Sequence, residues 1–357
     1  MTSPIITEAV RALVDRRDLT RIEAAAAMEA IMSGAATNAQ IAAFLTALRM
    51  KGETVEELIG FAQVMRQKVV KVRARGADLA QTGTDREMLI DTCGTGGDAS
   101  GTFNVSTATA FVAAGAGVKV AKHGNRSVSS LCGSADVVET LGIDIELSPP
   151  KVARCVDEVG IGFLYAPLLH TAMKHVMAAR REMGVRTVFN MLGPLTNPAG
   201  ANAQVIGVYA AALTEPLARV LAELGTIRGF VVHGADGLDE ISNTGASHIA
   251  EVHEGVVRSS HVRPEDFGLP RAALGDLRGG DRQENADIIR RVLGGEAGPR
   301  RDIVLMNAAA ALVAGGKARD FKEGVALAAQ SIDSGAAAGK LAALVAFSQR
   351  MSAEAPV

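Results

Sequence analysis

The stretch Asp91-Thr92-Cys93-Gly94-Thr95-Gly96-Gly97-Asp98-Ala99-Ser100-Gly101-Thr102-Phe103-Asn104-Val105-Ser106-Thr107 decides the fold of this chain. The apolar run Met88-Leu89-Ile90 leads into it and a small-residue helical pattern from Ser106 to Ala116 leaves it, so the order is strand, glycine loop, helix. Glycines permit positive φ and close approach of a ligand, and the N–H groups of such a loop and of the first helical turn converge on negative charge. The loop is therefore read as an anion site. Its spacing is neither Gly-x-Gly-x-x-Gly with an acidic residue about twenty positions on nor a loop ending in Gly-Lys-Ser/Thr, which disfavours a dinucleotide or nucleotide-triphosphate site.

Downstream, short apolar strands alternate with helical patterns, with strands expected at 88–91, 119–121, 161–164, 204–209 and 229–233. Ser148-Pro149-Pro150 and Thr214-Glu215-Pro216 read as helix starts, and 247–252 with 256–258 as a small antiparallel addition. Helices are expected again at 283–293, 303–314, 321–335 and 338–350. Upstream the pattern is purely helical, over 5–14, 21–32, 38–51 and 55–72, and Thr20-x-x-Glu23, Thr37-x-x-Gln40 and Thr54-x-x-Glu57 are each a capping box. The segment between Val72 and Met88 is charged and glycine-bearing and reads as a linker. The expected fold class is α/β: a small all-helical domain over 1–73 and a larger domain over 88–352 with a mostly parallel central sheet flanked by helices. Ligands of such a sheet bind at the carboxyl ends of its strands.

Composition excludes several function classes. The 37 basic and 39 acidic residues leave a formal charge of -2, with no global attraction to nucleic acid or an anionic membrane. Aromatic residues are only 3% and Trp is absent, so stacking platforms for single-stranded nucleic acid are scarce. Three cysteines without a Cys-x-x-Cys pair suggest a reduced, cytoplasmic protein. The N-terminus lacks a basic segment followed by a long apolar one, and the uncharged stretch 100–118 is broken by Gly, Asn, Ser and Thr, so neither secretion nor a membrane span is expected.

Two further polar clusters follow strands. Lys122-His123-Gly124-Asn125-Arg126-Ser127-Val128-Ser129-Ser130 comes directly after the strand expected at 119–121 and is either a second anion cradle or a solvated turn. Ser134 reads as the N-cap of a helix over 135–141. The third cluster, Gly234-Ala235-Asp236-Gly237-Leu238-Asp239-Glu240, is by itself an exposed acidic turn, yet beside two phosphate-type loops its adjacent carboxylates suit hydrated magnesium. Cys93 reads as a packing residue, His170 and His175 as surface or packing residues, and His233 as support for the site or simple strand-end polarity.

Gly94-Thr95-Gly96-Gly97-Asp98, Asn104-Val105-Ser106-Thr107, Lys122-His123-Gly124-Asn125-Arg126 and Asp239-Glu240 together resemble the anthranilate phosphoribosyltransferases of tryptophan biosynthesis. The stretch from Arg180-Arg181-Glu182-Met183-Gly184-Val185-Arg186 to Asn197-Pro198 is similar to that family too. The resemblance implies a homodimer formed through the helical part, with helices near 167–185 returning to it. It implies transfer of the phosphoribosyl group of phosphoribosyl pyrophosphate to the amine of anthranilate, with Mg2+ required. It assigns phosphoribosyl pyrophosphate to Gly94, Gly97, Asp98, Thr102, Asn104, Ser106, Thr107, Lys122, Ser130 and Ser134. It assigns Mg2+ to Ser106, Asp239 and Glu240, and anthranilate to Gly94, Asn125 and Arg180, with His123 beside them and Arg181 as the alternative arginine. Lys122, Arg180, Asn125 and His123 are the expected catalytic set. A pyrimidine nucleoside phosphorylase of the same architecture and a nucleic-acid-binding relative are the competing readings; no nucleic-acid or membrane partner is expected.

Overall fold

The computed structural model describes residues 3–74, 87–98, 100–127 and 131–354. Four helices open the chain: α1 (Pro4–Val14), α2 (Arg21–Met32), α3 (Asn38–Lys51) and α4 (Val55–Lys68). All three capping boxes form, with Thr20, Thr37 and Thr54 accepting from the N–H groups of Glu23, Gln40 and Glu57. Gln40 also reaches across the bundle, accepting the Ser3 N–H at 3.1 Å and donating to the Ser3 carbonyl at 2.9 Å. α4 stops four residues before the expected end at Val72. Val69 is extended, and the N–H groups of Val70 and Val72 donate to the carbonyls of Leu169 (2.9 Å) and Pro198 (3.1 Å), so long-range pairing draws this β-branched segment out of the helix. Most of the linker expected between 72 and 88 lies outside the described residues.

The rest of the chain builds one seven-stranded sheet from β1 (Leu89–Gly94), β2 (Lys119–Gly124), β3 (Ile161–Tyr165), β4 (Ala203–Gly207), β5 (Arg228–Gly234), β6 (Ser247–His253) and β7 (Val256–Val262). Their order is β3-β2-β1-β4-β5-β6-β7; the first five run parallel, β6 pairs antiparallel with β5, and β7 antiparallel with β6. One face, carrying Val205, Phe230, Val232 and Ile249, packs with α5 (Val105–Gly115) and with the helix Pro299–Ala314. That last helix is buried all round from Ile303 to Ala314, as its unbroken apolar run requires. The other face, carrying Ile206, Val208, Val231, Ala250 and Val252, shares a core with the helix Thr214–Glu223 and the N-terminal bundle. The helix Lys174–Met183 lies against α2 and α3. No helix among the described residues is long and apolar enough to cross a membrane.

Inside the bundle Glu57 is fully buried and accepts from Leu19 N–H (2.9 Å), Thr54 N–H (2.8 Å) and Lys51 Nζ (3.0 Å). Removing one partner of a buried pair leaves the other charge uncompensated, at a cost of about 3–5 kcal/mol. Glu57→Ala should therefore lower unfolding stability by about that amount in urea titrations, with Glu57→Gln losing less because its one carbonyl oxygen can still accept one of the two amides.

Candidate active site

β2, β1, β4 and β5 are neighbours, and each ends on a glycine: Gly124, Gly94, Gly207 and Gly234. A β-carbon on Gly94 would stand 2.7 Å from Asp239 Oδ2, and one on Gly207 would collide with the Asp239 carbonyl. The loop after β5 can lie over the ends of β1 and β4 only because these positions lack side chains. The loop after β1 is fastened by Thr95, whose N–H donates to the Gly207 carbonyl (2.8 Å) and whose hydroxyl accepts the Tyr209 N–H (3.1 Å). Gly96 and Gly97 both take positive φ, at 65° and 79°.

The polar groups converge on the start of α5. Asp239 Oδ2 accepts the Gly96 N–H at 3.0 Å and Glu240 Oε1 accepts the Ser106 N–H at 3.1 Å. Lys122 Nζ donates to the Thr92 carbonyl at 2.5 Å and to Ser106 Oγ at 3.3 Å. Asp98 is held by the Ser100 hydroxyl at 2.5 Å, and Ser100 Oγ lies 3.2 Å from the Thr102 hydroxyl. Asn104 precedes α5, donates to the Cys132 carbonyl (3.3 Å) and accepts from Asn285 (3.1 Å). Thr107 is buried, and its hydroxyl has no hydrogen-bond partner among the described residues.

Charge in this cluster is unbalanced. Burial, then the neighbouring Asp239, pushes the Glu240 carboxyl well above its ordinary range; burial and then Asp98 raise Asp239. Lys122 is lowered by burial against the attraction of Asp91 and Glu240. Among the described residues no three His, Cys, Asp or Glu side chains form a ready-made metal cage. Magnesium needs none, since it takes one or two carboxylates and keeps water or phosphate oxygens elsewhere. Two crowded, hard carboxylate donors beside a hydroxyl fit that ion. Burial also pushes the Cys93 thiol well above its ordinary value, consistent with a packing role.

The structure corrects the second cluster in three places. Lys122 and His123 do not follow the strand but belong to β2, which runs on to Gly124 because its pairing with β3 continues to Tyr165; both are buried. Arg126 is not available as a cradle cation: its guanidinium is taken by Glu139 (2.8 Å), Asp136 (3.0 Å) and the Tyr165 hydroxyl (3.2 Å). Ser134 is the first residue of its helix, not the N-cap, which is Gly133; the Asp136 carboxylate instead accepts the Gly133 and Ser127 N–H groups at 2.9 and 3.1 Å. Ser134 Oγ still reaches the exposed Asn125 through its carbonyl, at 3.4 Å. Ser130 lies outside the described residues.

Arg180 is half-buried with its guanidinium 5.4 Å from the Phe189 ring centre, and it makes no hydrogen bond to a described residue; Arg181 is exposed. No hydrogen bond joins Arg180 to Asn125 or His123 among the described residues. Two neighbours of His123 are not assigned to the site from the sequence. His170 is buried with its Nε2 3.1 Å from that of His123. Asp91 is fully buried, accepting the His123 N–H (3.0 Å) and Asn197 Nδ2 (2.7 Å). His233 Nδ1 lies 2.7 Å from the Val208 carbonyl, which anchors the ring to the strand next door.

Comparison with known proteins gives the family. Residues 7–69 match the helical bundle domain of the glycosyl transferase family, and residues 86–338 match its a/b domain. Anthranilate phosphoribosyltransferase of Symbiobacterium thermophilum is 56% identical over 345 residues, covering 97% of this chain and 98% of that protein. That of Geobacter sulfurreducens is 55% identical, covering 96% and 99%. The crystal structure of the Thermus thermophilus enzyme superposes with a TM-score of 0.88 at 44% identity, covering 96% and 99%. The Saccharomyces cerevisiae enzyme, in complex with PRPP and Mg, gives 0.85 at 29%, covering 97% and 98%. The chain belongs to the anthranilate phosphoribosyltransferase family and is a glycosyltransferase.

Burial, with His170 and Lys122 nearby, lowers His123 from 6.5 to about 3, and burial followed by Lys71 lowers His170 to about 4. The unfolded chain therefore takes up these protons first on acidification, so the pair's stabilisation is full above pH 6.5 and is lost as pH falls toward 4 and then 3. The melting temperature should drop through that window, and a His123→Gln, His170→Gln double variant should show a flatter acid limb in thermal melts.

Proposed function

We propose that the chain transfers the phosphoribosyl group of phosphoribosyl pyrophosphate to the amine of anthranilate, giving N-(5-phosphoribosyl)anthranilate and pyrophosphate in tryptophan biosynthesis. The observation that carries this reading is the convergence of Lys122, Asp239, Glu240 and the N–H of Ser106 at the start of α5, on a glycine loop with positive φ at Gly96 and Gly97. An anionic polyphosphate lying across Gly94, Gly97 and Asp98 would meet these N–H groups and the side chains of Thr102, Asn104, Ser106 and Thr107, with Ser134 at its other end. Asp239, Glu240 and Ser106 Oγ would hold Mg2+. Bound there, the ion would neutralise charge on the pyrophosphate as it leaves.

The chain's own groups supply the remainder. Cleavage at the anomeric carbon leaves positive charge on the ribose and negative charge on the leaving group, and Lys122 with the loop N–H groups stabilises the latter. Asn125 and Arg180 orient anthranilate. A guanidinium presents two parallel donors to a carboxylate, and half-burial over Phe189 restricts Arg180 to a narrow range of directions. An aromatic amine is neutral at pH 7 and attacks without prior deprotonation; the proton it sheds as the carbon–nitrogen bond forms passes to the departing pyrophosphate or to water, and His123, lowered to about 3 and so a weak base, shapes the pocket. Gly94 stands between the two substrates.

The domain division follows the same reading: a helical domain over 1–73, joined by the helix Lys174–Met183, and an α/β domain over 88–352. Exposed Val14, Ile22 and Met50 on the helical part support a homodimer formed there. Three unbridged cysteines, Cys93, Cys132 and Cys155, support a cytoplasmic site of action.

Anthranilate fluorescence, followed with phosphoribosyl pyrophosphate in the presence and absence of Mg2+, tests the assignment. Loss of the signal only with both added is expected; unchanged anthranilate from a folded protein, with phosphorolysis of a pyrimidine nucleoside instead, overturns it. An Asp239→Asn, Glu240→Gln variant should lose activity by at least about a hundredfold while keeping the melting temperature of the parent.

A further inference from the structure

Arg186 carries a guanidinium that neither the fold nor the roles above account for. It is exposed and makes no ion pair with a described carboxylate. Its Cζ lies 4.6 Å from the centre of the Tyr209 ring, so one face of the plane is covered and its edge is free to donate. A β-carbon built on Gly97 would stand 3.4 Å from Arg186 Nε and 3.5 Å from its Cζ, which places the cation directly over the glycine loop. Tyr209 is fastened to the same loop through its N–H to Thr95 Oγ1 at 3.1 Å. From the helical domain, Arg49 Nη1 donates to the Arg186 carbonyl at 2.5 Å.

These contacts set a cation at the rim of the loop, its guanidinium covered on one side by Tyr209 and its backbone held by Arg49. Lys122 lies beneath the loop, buried, and reaches the start of α5; Arg186 faces it from the solvent side. A polyanion seated on the N–H groups of Gly96 and Gly97 would pass between a compact ammonium below and a planar, two-donor guanidinium above. We propose that Arg186 is a binding residue for the pyrophosphate of phosphoribosyl pyrophosphate, aimed by stacking on Tyr209 and held from the helical domain by Arg49. The inference rests on the reading of the β1 loop as the seat of that substrate. The planar guanidinium lays one face over the Tyr209 ring and keeps parallel donors at its edge, a fork that an ammonium does not offer.

The test is a Michaelis analysis of Arg186→Gln and Arg186→Lys for both substrates, with pyrophosphate inhibition measured alongside. Arg186→Gln should raise the KM for phosphoribosyl pyrophosphate and weaken pyrophosphate inhibition by about tenfold or more, leaving the KM for anthranilate within about twofold. Arg186→Lys, which keeps the charge but not the fork, should recover part of the loss. Tyr209→Leu, which removes the stacking platform, should shift the same two constants in the same direction by less. If pyrophosphate and phosphoribosyl pyrophosphate constants stay at parental values in Arg186→Gln, with an unchanged melting temperature, the inference fails. If the parent itself does not consume phosphoribosyl pyrophosphate, the underlying reading fails instead.

Discussion

Everything at the site depends on how closely loops can approach the carboxyl edge of the sheet. Four adjacent strands end in glycine, and at Gly94, Gly124, Gly207 and Gly234 an added β-carbon would run into Asp239, Ser134, Asp239 again and Asp236. The edge is thus a shelf of bare backbone on which loops from distant parts of the chain lie in contact with one another. Positive φ at Gly96 and Gly97 is a second, independent use of glycine, turning N–H groups upward from that shelf. Without close approach the carboxylates of the β5 loop could not reach the amides of the β1 loop, and no single loop contains a complete site.

The contacts made there carry their own electrostatic logic. Asp239 and Glu240 already occupy the N–H groups of Gly96 and Ser106, the donors a phosphate would use. They stand in for the substrate anion, at the cost of crowding two carboxylates with Asp98 in a half-buried corner beside the buried cation Lys122. A polyphosphate arriving alone would compete with them for the same amides and be repelled. A divalent cation arriving with it offers the carboxylates a better partner and frees the amides. On the proposed reading, metal dependence therefore follows from the arrangement of charges before any chemistry takes place.

Much of this could be read from residue order, and the failures have definite causes. The three capping boxes and the strand-loop-helix order around Gly94 are local signals, set by residues a few positions apart, and the structure reproduces them. The ends of elements are not local. α4 gives up Val69 to Val72 because Leu169 and Pro198 compete for their amides, and β2 extends through Lys122 and His123 because β3 offers partners as far as Tyr165. Arg126 looks free in sequence but lies within reach of Glu139, thirteen residues on, once a helix turns back toward it. Ser134 loses the capping role to Asp136 because a carboxylate in the first turn can serve two N–H groups at once. His170 sits in a stretch with no polar cluster and Asp91 at the strand side of the glycine loop; only the folded chain sets one against His123 and the other beneath it.

The N-terminal bundle is more than an appendage to this sheet. Arg66 of α4 is half-buried with no carboxylate partner among the described residues; desolvation lowers it to about 10, and it donates instead to the carbonyls of Leu195 and Leu224, each at 2.8 Å. Leu195 is two residues from Asn197, whose amide holds Asp91 and the Ala121 carbonyl at 2.7 and 2.9 Å. Asp91 in turn accepts the N–H of His123 and lies under Lys122. A guanidinium on a helix of one domain thereby fixes the loop that ties β1 to β2, the strand bearing both the cation and the imidazole. Replacing those carbonyl contacts with apolar packing would keep the burial and lose the direction, because only hydrogen bonds specify which carbonyl meets which donor. The polar interior of the domain junction is what lets a sheet edge built of glycine hold charged side chains in fixed positions.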